Sequence, residues 1–215
     1  VRRRGVTNLK AGSIRQTSDP AVVSGSIVSL EGANIGGKTD PIRAQLLGDS
    51  GALWAQAQGD ISIRGVGGDM RILWISTSVS DGNVWLDAEG DIVTAGGFGI
   101  FGNRIELVSR AGSIGTAEAP VRVEVGDGSQ SGLVAVAPGD ISIYQAYGDL
   151  RLIRVESLAG DVILEAKDGS IIDVNPVEQK DTRTIEELNR LWDEMLLIEQ
   201  EGAEKSAENT IKAYK

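Results

Sequence analysis

The stretch of sequence that decides the fold is Gly59-Asp60-Ile61-Ser62-Ile63, which recurs unchanged as Gly139-Asp140-Ile141-Ser142-Ile143. In each copy a Gly-Asp pair precedes an apolar–polar–apolar alternation. Alternation with a period of two is typical of half-buried β-strands. Glycine adopts the positive φ of a tight corner without a steric cost, and Asp hydrogen-bonds nearby backbone at such a corner. Each copy therefore predicts a corner that leads into a strand.

The corner signal repeats along the chain at a period of roughly twenty residues, as two interleaved series of glycines that Asp, Asn or Ser follows. The first series contains Gly59, Gly82, Gly102, Gly139 and Gly160, and the second contains Gly68, Gly90, Gly112, Gly148 and Gly169. Self-similarity of this period is typical of solenoids. In a longer repeat, residues 53–75 match residues 133–155. The offset between these two copies is interpreted as about four coils.

These patterns predict an all-β solenoid, a right-handed parallel β-helix of about eight coils over residues 1–176, because parallel crossovers are almost always right-handed. Only 4% of the residues are aromatic, which favours a narrow core of stacked aliphatic side chains. The strand alternation predicts which side chains face inward and which face outward. The inward set is Ile61, Ile63, Met70, Ile72, Ile141, Ile143, Leu150, Leu152, Val162 and Leu164, and the outward set is Ser62, Arg71, Ser142, Arg151 and Ile163.

The character of the sequence changes after Pro176, so residues 177–215 are expected to form a separate α-helical segment, as a hairpin or as projecting helices. Thr184 and Glu187 form a capping-box pattern at the start of a stretch with helical apolar spacing. Its apolar stripe contains Leu188, Leu191, Trp192 and Met195. This stripe either packs within the protein or is a docking face for another protein.

Composition excludes several function classes. The chain has no cysteine and no histidine, which excludes disulfides, thiolate and imidazole metal ligands, and histidine-dependent catalysis. A net charge of −10 disfavours nucleic-acid binding, which depends on neutralising phosphates. No apolar run reaches the roughly 20 residues that a membrane span needs. Gly67-Gly68-Asp69 and Gly126-Asp127-Gly128 match calcium-roll repeats only in part, so neither a metal ligand nor a cofactor is predicted.

Three phrases carry a family resemblance: Gly112-Ser113-Ile114-Gly115-Thr116-Ala117 leading to Pro120-Val121-Arg122-Val123, then Leu158-Ala159-Gly160-Asp161-Val162-Ile163-Leu164, then Lys167-Asp168-Gly169-Ser170-Ile171. They resemble the repeats of large bacterial exoproteins of the filamentous haemagglutinin type. The resemblance implies an extracellular or cell-surface parallel β-helix shaft that serves adhesion, biofilm cohesion or cell contact. We expect the chain, which starts at Val1 and stops at Lys215, to be a segment of such a protein, with neighbouring coils of the same parent chain as partners.

Two functions then compete. The first is a structural and adhesive shaft without enzymatic activity. The second is a polysaccharide lyase or hydrolase, because parallel β-helices also serve as such enzymes, in which acidic and basic side chains gather on one outer face. The candidate carboxylates are Asp60, Asp69, Asp91, Asp140, Asp149 and Asp161. Each follows a corner glycine, where hydrogen bonding to local backbone explains an Asp, and they recur from coil to coil, whereas catalysis needs a unique pair. The sequence therefore favours the shaft and predicts no catalytic residue.

Tryptophan provides the candidate recognition surface. Strand alternation places Trp54 and Trp85 outward, and Trp74 stands where the second long repeat has Arg154. Exposed aromatic patches commonly mark binding sites, so Trp54, Trp74 and Trp85 together predict a surface for a glycan or a protein receptor. The alternative is that flanking segments cover these rings.

Overall fold

The computed structural model describes residues 5–17, 21–78, 80–96 and 99–175, and the regular structure of these residues is entirely β-strand. The strands are short because a corner follows each of them. They are β1 (Val6–Lys10), β2 (Val22–Gly25), β3 (Ile27–Gly32), β4 (Ile42–Leu46), β5 (Ala52–Ala57), β6 (Ile61–Gly65), β7 (Met70–Ser76), β8 (Val84–Ala88), β9 (Ile92–Thr94), β10 (Ile100–Gly102), β11 (Arg104–Ser109), β12 (Val121–Val125), β13 (Gly132–Ala137), β14 (Ile141–Gln145), β15 (Leu150–Ser157), β16 (Val162–Ala166) and β17 (Ile171–Asp173).

The strands form two parallel sheets that face each other across one core. Sheet 1 has the order β1-β3-β5-β7-β10-β12-β14-β16, with β9 also paired to β7, and sheet 2 has the order β2-β4-β6-β8-β11-β13-β15-β17. Successive strands alternate between the sheets, so each coil contributes to both. Among the described coils, only the fifth places two strands, β9 and β10, in sheet 1. The prediction of a parallel β-solenoid of about eight coils is confirmed.

The core is a set of mainly aliphatic rows that run along the solenoid. One row of sheet 1 consists of the register partners Leu9, Leu30, Ala55, Ile75, Ile100, Val123, Gln145 and Ala166. The predicted inward residues Ile61, Ile72 and Ile141 are fully buried, which confirms the register in three coils. Burial of such a side chain contributes about 1.5–3 kcal/mol relative to an exposed one. Because every coil adds to the same rows, the stack is stabilised mainly by contacts between neighbouring coils.

The coil is longer than the corner spacing alone indicates. Leu9 and Ala166 lie seven coils apart in one row. The offset between the two copies of the long repeat is about half of the sequence separation between Leu9 and Ala166. The long repeat is therefore about three and a half coils, and the interpretation as four coils is wrong. As a result β6 lies in sheet 2 while its copy β14 lies in sheet 1, so matching segments of the repeat face opposite sides of the solenoid.

The corner Asp residues accept hydrogen bonds from the next coil, whereas the sequence pattern predicted bonding to backbone of their own corner. The N–H of Asn83 donates to Asp60 Oδ1 over 2.9 Å, and the N–H of Asp91 donates to Asp69 Oδ1 over 2.9 Å. One bond connects the two glycine series. The N–H of Asp140, which follows Gly139 of the first series, donates to Oγ of Ser113, which follows Gly112 of the second series, over 3.0 Å. Because the offset of the long repeat includes half a coil, a corner of the first series in the second copy stacks on a corner of the second series that lies before it. We call these side chain–backbone bonds between coils the corner ladder.

The predicted exposure of Ser62 and Ser142 is wrong, because a loop of the preceding coil covers each of them. Ile35 pairs with Ile61 and Ile42 pairs with Ile63, so residues 36–41 stand opposite the single residue Ser62. Residues 115–120 likewise stand opposite Ser142. Both serines are 2% exposed. The backbone of each loop lies so close that a Cβ at Gly36 or Gly115 would overlap the serine carbonyl oxygen.

The last described coil departs from the predicted burial for another reason. Val162 occupies a core position, as the register partner of Ile141, yet it is 45% exposed. No further described coil stacks on it, so the expectation that it is buried is wrong. Leu152 and Leu164 are half-buried and pack against the core, Arg71 and Arg151 are half-exposed, and Ile163 is exposed as predicted.

The predicted helical segment, residues 177–215, lies outside the described residues, as does its candidate docking face of Leu188, Leu191, Trp192 and Met195. Within the part of the chain that the structure describes, no helix is present that could cross a membrane.

Candidate functional site

Two of the three predicted tryptophans lie side by side on the outer face of sheet 1. Trp54 of β5 and Trp74 of β7 are register partners in neighbouring coils, and neighbouring strands of a sheet are about 4.8 Å apart. Both side chains are half-buried. Their positions follow from strand alternation, because Leu53, Ala55 and Ile75 beside them point into the core.

A β-bulge brings Trp74 into this position. Leu53 pairs with Ile72 but Trp54 pairs with Trp74, so Leu73 is an extra residue in β7. If the pairing continued regularly after Ile72, Leu73 and not Trp74 would stand opposite Trp54. The same bulge recurs in β15, where Val134 pairs with Arg154, but that copy lies on sheet 2. The paired residues there, Val134 and Arg154, are not aromatic, so of these two bulges only the first places two aromatic side chains side by side.

Phe101 completes an aromatic cluster on sheet 1. Its ring centroid lies 4.5 Å from that of Trp74, with 33° between the ring planes. Tilted pairs at this separation are a favoured arrangement of aromatic rings. Phe101 was missed in the sequence, although the alternation of Ile100, Phe101 and Gly102 points its side chain outward. We call Trp54, Trp74 and Phe101 the aromatic cluster.

The row of Trp74 continues toward the later coils as a polar and aromatic track. Since Ile100 pairs with Ile75 and with Val123, Gly99 lies between Trp74 and Arg122 in this row. The missing side chain at Gly99 leaves room for Arg122, whose Cγ would lie 3.1 Å from a Cβ there. Arg122 Nη2 donates to Glu124 Oε1 over 3.1 Å, and Tyr144 is the next register partner.

A cleft of about 380 Å³ opens on the same sheet beside the bulge. Its wall includes Leu73, the chain neighbour of Trp74, together with one cation, Arg71, and one anion, Asp49. Ser26 and Ser50 add hydroxyl groups. The exposed lining of the cleft is mainly apolar, with these few polar groups in its wall, and the aromatic surface lies next to it. Small-molecule sites typically have this size and mixture, and the hydroxyl groups of a sugar match such a set of polar partners.

Trp85 lies elsewhere, so the three tryptophans do not form one surface. It belongs to β8 in sheet 2, where it is the register partner of Ser62 and Glu106. Lys38 Nζ lies 5.3 Å from the centroid of its indole ring, and the same ammonium group is 3.0 Å from Glu106 Oε1. The loop that covers Ser62 thus also places a cation over Trp85.

Sheet 2 carries a charged group on its outer face. Arg110 Nε and Nη2 donate to the two carboxylate oxygens of Asp87, each over 2.7 Å, and Arg64 Nε donates to Asp87 Oδ2 over 2.9 Å. Burial alone raises the pKa of Asp87, but the hydrogen bonds and positive charges of Arg110 and Arg64 outweigh it, so the pKa is lowered. The hydrogen bond to Asp87 raises the pKa of Arg110. This group links three coils and has the geometry of a stabilising ion-pair network.

Five of the six candidate carboxylates accept hydrogen bonds from the backbone of a neighbouring coil. Asp60, Asp69, Asp91, Asp140 and Asp149 each accept a hydrogen bond from a backbone N–H of the following coil. Across the described residues, no group of three or more Asp and Glu side chains is placed to hold a metal ion. The corner ladder therefore accounts for these Asp residues by a structural role.

Comparison of the chain with protein-family models, with curated proteins and with solved structures finds no match.

Proposed function

We propose that the chain is a structural and adhesive shaft segment of a large bacterial exoprotein, and that its aromatic cluster on sheet 1 binds a surface glycan. The observation that supports this most directly is the position of the cluster. Trp54, Trp74 and Phe101 lie on one outer face of an otherwise regular stack of coils. In this proposal the stack of coils is the spacer, and the aromatic cluster is the surface that contacts the glycan.

The bonding between coils suits a shaft. Both sheets pair every coil with its neighbours through parallel ladders, and the corner ladder adds bonds outside the sheets, as from Asp161 N–H to Asp140 Oδ1 over 2.9 Å. Each coil advances the stack by about 4.8 Å. Because successive coils share one core and one set of ladders, the stack resists bending and carries a binding surface away from its point of attachment.

A neutral glycan fits the aromatic cluster better than a polyanion does. Indole faces provide apolar contact area next to polar groups, and Arg71 and Asp49 in the adjacent cleft supply a donor and an acceptor for hydroxyl groups. The chain as a whole has a net charge of −10, which repels acidic polymers. A protein receptor is the other ligand class that an aromatic patch serves, and the experiment below distinguishes the two.

The proposal includes a right-handed coil, because parallel crossovers strongly favour that hand. It also includes an extracellular or cell-surface location and kinship with exoproteins of the filamentous haemagglutinin type. These two features rest on the sequence phrases around Gly112, Gly160 and Gly169. Crystallographic phasing of the protein would establish the hand directly, and a left-handed coil would contradict it.

The test measures binding of the whole chain to a panel of immobilised neutral and acidic oligosaccharides. We expect binding to neutral members, and a loss of at least about tenfold in affinity for Trp54→Ala and for Trp74→Ala, as expected for hot-spot aromatic residues. Trp85→Ala is the matched control, since Trp85 lies on sheet 2, and it should bind as the wild type does. Equal losses for all three variants would contradict the assignment of the site to the aromatic cluster, and binding only to acidic members would contradict the assignment to a neutral glycan.

The same panel, supplied in solution, separates the shaft from the enzyme alternative. A shaft releases no new reducing ends or unsaturated products from any polysaccharide. Reproducible product release by the purified chain would overturn the non-enzymatic assignment. A protein receptor would be the ligand if two results were found together. The chain would bind no glycan, and it would capture one defined cell-surface protein, with capture lost in Trp54→Ala and kept in Trp85→Ala.

A further inference from the structure

A single row of residues crosses the outer face of sheet 1 through β5, β7, β10, β12 and β14. Each member of this row immediately precedes a member of the core row that runs from Leu9 to Ala166, so strand alternation places it on the outer face. We call this row the outer track, and its members are Trp54, Trp74, Gly99, Arg122 and Tyr144. The aromatic cluster therefore occupies one end of the outer track, and Tyr144 occupies the other.

The outer track is long enough for several sugar units. In the order of sheet 1, β5 and β14 are four steps apart, and at about 4.8 Å for each step the track spans roughly 19 Å. The side chains of Trp54, Trp74 and Tyr144 are half-buried, so part of each ring is exposed. A disaccharide covers one end of this length, whereas a longer linear chain reaches the aromatic rings at both ends.

Arg122 fills the interval between the two aromatic ends. A Cβ at Gly99 would lie 3.1 Å from Arg122 Cγ, so the aliphatic stem of Arg122 lies against the bare backbone of Gly99. Among the described residues, only Glu124 accepts a hydrogen bond from the Arg122 side chain, through Nη2 over 3.1 Å. Nε is buried without an acceptor, but the side chain as a whole is 31% exposed. The Nη groups therefore offer further N–H donors to hydroxyl oxygens at the middle of the track.

The charge on the outer track is compensated. Arg122 is its only charged member, and the ion pair with Glu124 neutralises it. Glu165, the register partner of Tyr144 in the next strand, is an exposed carboxylate and repels anions. A neutral sugar chain therefore fits this row better than an acidic one.

A loop borders the end of the outer track that contains Tyr144. Residues 115–120 stand opposite Ser142, which points outward two residues before Tyr144 in β14. Thr94 Oγ1 donates to the carbonyl oxygen of Pro120 over 3.4 Å, which ties the loop to β9. A ligand that lay along the strands at Tyr144 would meet this loop, whereas a ligand parallel to the solenoid axis would pass beside it. The geometry therefore favours the axial direction.

From these observations we propose that the outer track binds one straight, neutral polysaccharide chain that lies parallel to the solenoid axis. The chain contacts Trp54 and Trp74 at one end of the track and Tyr144 at the other. This inference rests on the proposed glycan binding and specifies the shape and direction of the ligand. Equatorially linked pyranose chains, as in cellulose and chitin, are straight and have apolar C–H faces that pack on aromatic rings. The α-linked chain of amylose coils and does not follow a straight row.

The test measures the affinity of the whole chain for cellobiose, cellohexaose, chitobiose, chitohexaose and maltohexaose by isothermal titration calorimetry. In at least one of the two straight series, we expect the hexaose to bind at least about tenfold more tightly than its own disaccharide, because the second contact of one ligand is intramolecular. The same hexaose should bind more tightly than maltohexaose, which has the same length but a coiled shape.

Replacement of Tyr144 locates the second contact. Tyr144→Ala should lower the hexaose affinity at least about tenfold and leave the disaccharide affinity unchanged, because a disaccharide binds at the aromatic cluster. Trp54→Ala should lower both affinities. Tyr147→Ala is the matched control, since Tyr147 lies in the same coil, is 68% exposed and is outside the outer track, and it should bind as the wild type does. Circular dichroism confirms that the variants are folded.

Three results would overturn the inference and leave the proposed function in place, provided that Trp54→Ala still loses disaccharide binding. The first is equal affinity for disaccharide and hexaose in both straight series. The second is equal affinity for maltohexaose and the straight hexaoses. The third is the same hexaose affinity in Tyr144→Ala and Tyr147→Ala. Binding of none of the five probes would also overturn the inference, and a negative result with the full oligosaccharide panel would overturn glycan binding itself.

Discussion

Replacement of Asp60 tests whether the corner ladder stabilises the stack. Asp60 Oδ1 accepts two hydrogen bonds from the next coil, one from the backbone N–H of Asn83 over 2.9 Å and one from Asn83 Nδ2 over 3.1 Å. A hydrogen bond to a charged group contributes about 1.5–3 kcal/mol when buried. Asp60 is half-buried, so water replaces part of the loss. We therefore expect Asp60→Ala to lower the free energy of unfolding by about 2 kcal/mol.

The measurement is urea-induced unfolding at pH 7, followed by far-ultraviolet circular dichroism. Asp60→Asn keeps an acceptor oxygen at the same place and should lose less than about 1 kcal/mol. Asp127→Ala is the matched control. Asp127 is exposed, no described residue hydrogen-bonds its side chain, and its replacement should change stability by no more than about 0.5 kcal/mol. An Asp60→Ala variant as stable as Asp127→Ala would refute the structural role of the ladder.

Two further predictions concern a corner loop and an ion-pair network. Gly36→Ala should destabilise the fold more than Gly48→Ala, because both glycines have positive φ, of 67° and 79°, but only at Gly36 would the new Cβ overlap backbone, the Ser62 carbonyl; equal losses in urea unfolding would contradict the loop packing. Asp87→Asn should lower the stability at pH 7. The pKa of Asp87 is lowered from its ordinary value of 3.8, so its carboxylate stabilises the fold fully when the pH is above that ordinary, unfolded-state pKa. That contribution is lost as pH falls through the folded-state pKa, so the difference between variant and wild type should disappear toward pH ~2, and a difference that does not change with pH would exclude the ion pairs as its cause.

The sequence was sufficient to predict the solenoid and most of its core. Glycine corners and period-two alternation are local signals, and each is repeated many times, so errors in one coil do not alter the architecture. Ile61, Ile72 and Ile141 are buried as predicted. Coil length was harder to predict, because loops such as residues 36–41 add residues to some coils and not to others. The uneven lengths concealed the half-coil offset of the long repeat.

Exposure depends on contacts between coils, which alternation alone does not contain. Ser62 points outward from its strand, as its neighbours require, but a loop from the coil before covers it. Val162 points inward but has no described coil above it. The arrangement of the candidate site also depends on contacts between coils. Alternation correctly placed Trp54 and Trp85 on outer faces, yet their distribution over two sheets follows from the order in which the strands stack.

Stacked coils bring Trp54 and Trp74 together on sheet 1 and keep Trp85 on sheet 2. The chain has no cysteine, so disulfide trapping of introduced pairs tests it directly. Register partners on neighbouring parallel strands lie within the roughly 4.4–6.8 Å Cα separation of disulfides. Trp54→Cys combined with Trp74→Cys should therefore form an intramolecular disulfide under mild oxidation, whereas Trp54→Cys combined with Trp85→Cys should keep free thiols. A disulfide in the second pair and none in the first would contradict the stacking and the recognition surface built on it.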